Sequence, residues 1–596
     1  MNEAVVVPDI HDRLIREAFI DPIRTLIVVD DEYPTLDSLT DKESGVMKNW
    51  TDKKRDNISN VREFLSFARD KERSWLIDVH DATDVTTEAE LGAAAHLHHS
   101  DLLVLDYHLQ GDDGGGDVAI AILRELADHN HFNLVIVHTK GDNGSIDQVV
   151  REIALGLTYA EPSITISKEE DTAINDAIAL WEEEDDQILS KLEAEISEDT
   201  YLECRSRYPR KTDALLSLPA GQSILEICKG KPKKVDINPK QVAHWLLIKK
   251  HGELQRHFSP KMLGNVMVGN SEGINWIKTE KLFITVLSKV CKPKDFETKI
   301  MAAIKASFLS PHRLLLTKMR AEIENRGLSA EADILKDRYM QAEWLNEFLK
   351  PNQVDTKAVI HNTINRHWEA LGDRLRLTLD EYANGLLEHF SALDRDNVLT
   401  GCGINKSDIG SQEALKRFNC FSSTKPIDRS HLTTGHVFRM EHGEGGEHQY
   451  WICLSPACDM VPVQENSLLR RDFLSFVAVR LFSITDDQAL KNATKNVFLF
   501  LNIDEAVQAF SIHEDGISKN PNWVQMHAQN QGMFHGTNKI NIGSIIKTQK
   551  DDLLLFWTDA AVVTQLRSEY ALNLLQRIGA VLSRPGLGMN FKTLSQ

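Results

Sequence analysis

No uninterrupted apolar run in this sequence approaches the roughly 20 residues that a membrane-spanning helix needs. The first residues, MNEAVVVPDIHDRL, lack the basic start and apolar core of a secretion signal. Both absences lead us to expect a cytoplasmic protein without a membrane partner. Cysteine is scarce: there are seven, an odd number scattered over 596 residues, which does not read as a disulfide framework. Positive charge is also short, with 68 Lys and Arg against 88 Asp and Glu, a net charge of −20. The mean field therefore repels phosphate backbones and anionic membranes, so no general nucleic-acid binding is expected. The best local basic patch, Lys229–Lys234 (KGKPKK), is short and contains proline, and reads as a solvated linker. No Walker loop, zincin or metal-dependent nuclease signature is present, and no fixed-period repeat.

What is present is a chain too long for one core, of ordinary globular composition with 42% hydrophobic and 26% charged residues. We expect a multidomain protein: an N-terminal helix (1–22), a doubly wound, flavodoxin-like α/β domain (23–181), a mainly α-helical middle (182–398), a β-rich module (399–515) and a C-terminal α+β segment (516–596). The α/β reading rests on five short apolar runs: Thr25–Val29, Trp75–Val79, Leu102–Leu105, Leu134–Val137 and Ile164–Ile166. Between them lie helical spacings such as Val118, Ile122 and Leu126. Strands buried on both faces read as continuous apolar runs, and alternation with helices implies a covered parallel sheet.

In such a sheet ligands sit at the carboxyl ends of the strands. There the predicted strands end in Asp30-Asp31, Asp106, Thr139 and Lys168. Carboxylates converging from adjacent strands repel one another unless a cation sits among them, and oxygen donors of this kind suit Mg²⁺. A carboxylate so placed can attack phosphorus and form an aspartyl-phosphate. Asp106 is expected to be the nucleophile and a metal ligand. Asp31 is expected to bind Mg²⁺ directly, Asp30 mainly through water, and the backbone carbonyl of His108 to add a further ligand. Lys168 is expected to pair with one phosphoryl oxygen and the Thr139 hydroxyl with another, which makes Thr139 the switch residue.

These residues resemble the response-regulator receiver family of two-component signalling. Leu26–Glu32 (LIVVDDE) is similar to its first-strand acidic pair, Leu103–Leu109 (LVLDYHL) to its phosphoacceptor strand, and Gly114 to the turn glycine before its third helix. The pattern departs from the family in three places. The span from Asp31 to Asp106 is long, with the excess assigned to Leu36–Asp56; no proline follows Lys168; and Thr165 stands where an aromatic switch residue is common. The acidic loop Gln110–Asp117 reads as shaping partner access. Pro22-Ile23-Arg24, Ser455–Asp459 (SPACD) and Leu566–Ala571 (LRSEYA) resemble the large conflict-associated receivers. That resemblance implies a phosphodonor partner, a histidine-kinase-like ATPase or another protein, and an anti-phage or stress role; a homodimer is possible. The implied activity is self-phosphorylation from a donor.

Other motifs have plainer readings. Cys453 and Cys458, with Cys402, Cys420, His431, His436, His442 and His448, invite zinc, but no second tight pair exists and Cys453 fits a core thiol on a strand. Gly269-Asn270-Ser271-Glu272-Gly273 matches G-x-S-x-G, yet its surroundings read as helical, so a turn with a helix N-cap at Ser271 is expected. The His96–His99 stretch reads as a helix end. Two alternatives to the signalling reading remain: an interaction scaffold with a non-phosphorylated receiver, and an effector enzyme with its site in 400–596 around Asp459.

Overall fold

The computed structural model describes residues 9–36, 52–80, 97–110, 115–140, 145–160, 165–206, 211–271, 273–349, 353–427, 431–442, 447–461, 473–495, 497–515, 520–547 and 553–582. Two units emerge, one of residues 1–325 with 375–403, the other of 326–374 with 404–596.

In the first unit the β-branched run Thr25–Val29 forms β1, flanked in parallel by β2 (Leu76–His80) and β3 (Leu102–Asp106), with β4 (Asn133–Thr139) beyond β3. Side chains alternate between two buried layers, as the period of a strand requires. Leu26, Val28, Leu102, Val104, Leu134 and Ile136 pack against the N-terminal helix, Asp52–Ala68 and Phe296–Ala306. Ile27, Val29, Leu103, Leu105, Val135 and Val137 pack against Asp117–Asp128 and Ile146–Leu157. Truncating a side chain such as Leu105, 0% exposed, costs about 2–5 kcal/mol.

The next strand in the sheet is not Ile164–Ile166. Ile164 lies outside the described residues, and Thr165 and Ile166 are not in a strand. The neighbour of β4 is Leu282–Ser288, which we label β7; it runs parallel, from Asn133↔Leu282 to Thr139↔Ser288. Its five leading residues, Leu-Phe-Ile-Thr-Val, are fully buried, and a run of that length covers both faces where three residues cannot. β5 (Met267–Ser271) and β6 (Ile274–Lys278) extend the sheet antiparallel beyond it, giving the order β2-β1-β3-β4-β7-β6-β5. The sheet therefore continues past residue 181. The helices 168–254 bury Trp181, Leu192, Tyr201 and Leu246 in the same core as β1, β3 and β4, so the expected border with a helical middle separates nothing.

The G-x-S-x-G match is neither an elbow nor a helix cap: it is a β-hairpin. Gly269 faces Trp276, where a Cβ would come within 2.5 Å of the indole, and Gly273 supplies the φ of +77° in the turn.

In the second unit, six antiparallel strands close on themselves: β9 (His436–His442), β10 (Glu447–Cys453), β11 (Phe473–Ser483), β14 (Trp523–Gln529), β15 (Lys539–Lys547) and β16 (Leu553–Leu566). β10 pairs with both β9 and β11, which completes a barrel and removes its edges. Phe438, Phe476, Met526, Ile540 and Val562 fill the interior. β8 (Thr424–Lys425) adds to β16; β12 (Phe498–Ile503) and β13 (Ala506–Ser511) form a hairpin on β11. That hairpin turns on Asp504 and Glu505, both at positive φ, as a two-residue turn demands. Since the barrel draws strands from both sides of residue 515, the expected division between 399–515 and 516–596 does not hold. Among the described residues no helix is long and apolar enough to cross a membrane.

Candidate functional site

Strands buried on both faces leave polar chemistry only at their ends, and four neighbouring strands end at one edge. β1 runs out into Asp30 and Asp31, and β3 ends on Asp106. Asp30 is 3% exposed and Asp106 4%, while Asp31 is half-buried. These three acids each present a carboxylate oxygen within 4.8 Å of the others. Local hydrogen bonds aim them. The backbone N–H of Asp30 donates to the carbonyl of His80 at 3.0 Å, and its Oδ1 accepts from the Glu32 N–H at 3.0 Å. Asp106 Oδ1 accepts from the His108 N–H at 3.4 Å.

The cation of the site is Lys289, the residue after β7. Its Nζ lies 2.7 Å from Asp106 Oδ2 and 2.9 Å from Asp30 Oδ2. The strand pairing sets this position, because the Lys289 N–H donates to the Thr139 carbonyl at 2.9 Å. The Tyr33 ring stands beneath the ammonium, its centre 5.9 Å away. Lys168, assigned this role from sequence, is elsewhere. It is exposed in the first turn of the helix Lys168–Glu182, whose cap is Ser167: Ser167 Oγ accepts from the Glu170 N–H at 3.2 Å and Glu170 accepts back from the Ser167 N–H. The motif Ser-Lys-Glu-Glu is a capping box, a signal that residue 168 opens a helix rather than follows a strand. The signal for Lys289 was the buried run Leu282–Val286 just before it, which the helical character of its surroundings obscured.

Thr139 is buried at the end of β4, with Oγ1 3.4 Å from His108 Nδ1. Behind it His138 Nε2 meets the Cys291 carbonyl at 3.1 Å, between the rings of Phe64 and Phe296. Burial holds the His138 imidazole down to about 4. A cavity of about 200 Å³ adjoins the edge, lined among others by Glu32, Tyr33, Lys140, Lys289 and Lys292. Gly116 lets the backbone pass the buried Tyr107, whose hydroxyl bonds Glu152.

Burial pushes the Asp30 carboxyl up to about 6, Lys289 pulls it back, and the charge of Asp106 adds to the rise. Asp106 is raised by burial too, against the pull of Lys289. For Lys289 burial works against the charge, but Asp30 and Asp106 outweigh it and hold the ammonium above its ordinary range. Three carboxylates against one ammonium leave a negative site of hard oxygen donors, and this donor set fits Mg²⁺.

The other candidates are not drawn into a site. Cys453 is fully buried in the barrel beside Met460, Cys458 and Asp459 are exposed on a short 3₁₀ turn, and the side chain of His442 lies outside the description. Among the described residues the three aspartates form the only acid, His or Cys cluster of metal-binding geometry. Gly114 and His96 lie outside the described residues, as does most of the Leu36–Asp56 stretch.

No curated protein and no solved structure matches the chain. Residues 22–207 match the family model described as a response receiver domain. The first unit thus resembles the response-receiver family over its first four strands, and takes its fifth strand, with Lys289, from beyond the matched stretch.

Proposed function

We propose that the chain is a phospho-accepting response receiver in which Asp106 takes a phosphoryl group with the help of Mg²⁺. The observation that carries this reading is the meeting of Asp30, Asp31, Asp106 and Lys289 at one sheet edge. Asp30, Asp31 and Asp106, with the His108 carbonyl, would hold the ion, which would neutralise charge on the transferring group.

An Asp106 carboxylate oxygen forms the new bond to phosphorus while the bond to the donor's leaving atom breaks. The electron pair goes to that atom: an imidazole nitrogen for a phosphohistidine donor, a carboxylate oxygen for acetyl phosphate. Lys289, already against Asp106, moves its ammonium onto a phosphoryl oxygen. The Thr139 hydroxyl turns from His108 to donate to another, so occupancy of Asp106 is felt at the end of β4.

The donor would be a histidine-kinase-like ATPase or another phosphodonor protein, and the setting a bacterial anti-phage or stress response. The motifs Pro22-Ile23-Arg24, Ser455–Asp459 and Leu566–Ala571 support that part. Incubation with acetyl phosphate and Mg²⁺, followed by mass spectrometry, tests it. An acid-labile phosphate on the wild type and none on Asp106→Asn is expected; equal labelling of both would sink the proposal.

A further inference from the structure

At the opposite, amino-terminal end of these strands lies a second cavity, of about 260 Å³, close to the roughly 300 Å³ at which ligand pockets begin. Phe19, Phe132, Phe283 and Leu309 give it apolar walls, and Lys278 and Arg313 also line it. Lys278 ends β6, and its Nζ donates to the Ser307 carbonyl at 2.8 Å. Arg313 donates to the Glu280 carbonyl at 2.6 Å. Among the described residues neither side chain forms an ion pair with a carboxylate. Glu280, the acid on the cavity wall, is itself exposed.

Partly buried cations are costly unless an anion compensates them. Arg313 also faces a like charge across the Phe132 ring: its guanidinium and that of Arg320 lie 5.3 and 4.8 Å from the ring centre. Of the two only Arg320 has a carboxylate partner among the described residues, Glu324 at 3.6 Å. Burial pushes Lys278 down to about 8, with the nearby Cys402 opposing and the charge of Arg313 contributing. In a chain with 20 surplus negative charges the one acid on this wall, Glu280, is exposed and forms no ion pair with either cation among the described residues. The rim is also held under strain. Phe308 sits at φ +45°, with its ring so close to Gly401 that a Cβ there would come within 2.3 Å. Such strain persists where the surroundings over-determine it, as in ligand clamps.

We propose that this cavity binds a small organic anion, its carboxylate or phosphate head between Lys278 and Arg313 and its apolar body against Phe19, Phe132 and Phe283. The site stands apart from Asp106 and does not depend on phosphoryl transfer.

Calorimetric titration of the full chain with phenylpropanoate, phenyl phosphate and the neutral phenylpropanol tests this. At least one anion is expected to bind, about tenfold more tightly than the alcohol, and the tighter of the two identifies the headgroup. Lys278→Met and Arg313→Gln are each expected to weaken it about tenfold. Should either variant fail to fold, alkylation of Cys402 in the wild type, mapped by peptide mass spectrometry against the exposed Cys458, gives a second measurement. Cys402 lines the cavity, so the anion is expected to slow its reaction and the alcohol to leave it unchanged. No heat and no protection from either anion at about 1 mM overturns the proposal, as does equal binding of the alcohol.

Discussion

Lys289 bridges Asp106 and Asp30, with 2.7 and 2.9 Å between charged atoms, so one ammonium ties together the carboxylates that end two adjacent parallel strands. Removing it strips the acids of their compensating charge as well as the proposed phosphoryl partner. Lys289→Met is expected to lower the rate of Asp106 labelling by about 100-fold or more. Lys168→Met, on an exposed helix turn, is expected to change it less than about twofold. Quantitative phosphate incorporation from acetyl phosphate distinguishes the two, and a large loss in Lys168→Met would refute this assignment.

A divalent ion that binds only the folded site must stabilise it by mass action. At about 100 times its dissociation constant, Mg²⁺ is expected to add about 2.7 kcal/mol. Chemical denaturation with and without the ion should show this for the wild type and not for Asp31→Ala. A gain that survives in the variant places the ion elsewhere.

His138 gives a pH dependence of definite sign. Its folded value, about 4, lies below the ordinary 6.5, so the unfolded chain binds the extra proton and stability falls as pH drops from 6.5 toward 4. Asp30, raised from 3.8 to about 6, acts oppositely over much of that window, since the folded state there holds the proton. Comparison with His138→Gln isolates the histidine. The variant is expected to lose less stability than the wild type between pH 6.5 and 4, by on the order of 2 kcal/mol. Parallel denaturation curves against pH would contradict it.

Gly116 has an ordinary φ of −80°, so its role is one of space. A methyl group there would sit about on the Tyr107 ring, within 2.0 Å, and that ring is 2% exposed and cannot retreat. Gly116→Ala is expected to cost about 1–3 kcal/mol in denaturant titration. A Tyr107→Ala background should relieve part of the overlap, which a helix-propensity effect would not do.

The buried runs of β1, β3 and β4 were legible because a strand covered on both faces must be apolar throughout, and the acids directly after them had to lie at its end. Asp30, Asp31, Asp106 and Thr139 followed from that alone. Ile164–Ile166 misled because a short apolar run carries no period, although the capping box at Ser167 contained the correction. The barrel was legible only as a β-rich region: Tyr450–Cys453 pairing with Leu481–Ala478 is a long-range choice that no local pattern encodes.

Local sequence, then, determined that β1, β3 and β4 are strands and that acidic groups terminate β1 and β3, since burial and backbone periodicity act over a few residues. Which strand lies beside β4 was decided only in three dimensions. Ladder hydrogen bonds are the same for any extended segment, and the choice of Leu282–Ser288 rests on side-chain packing against both helical layers. That choice brought Lys289 to the acids and left Lys168 in solvent.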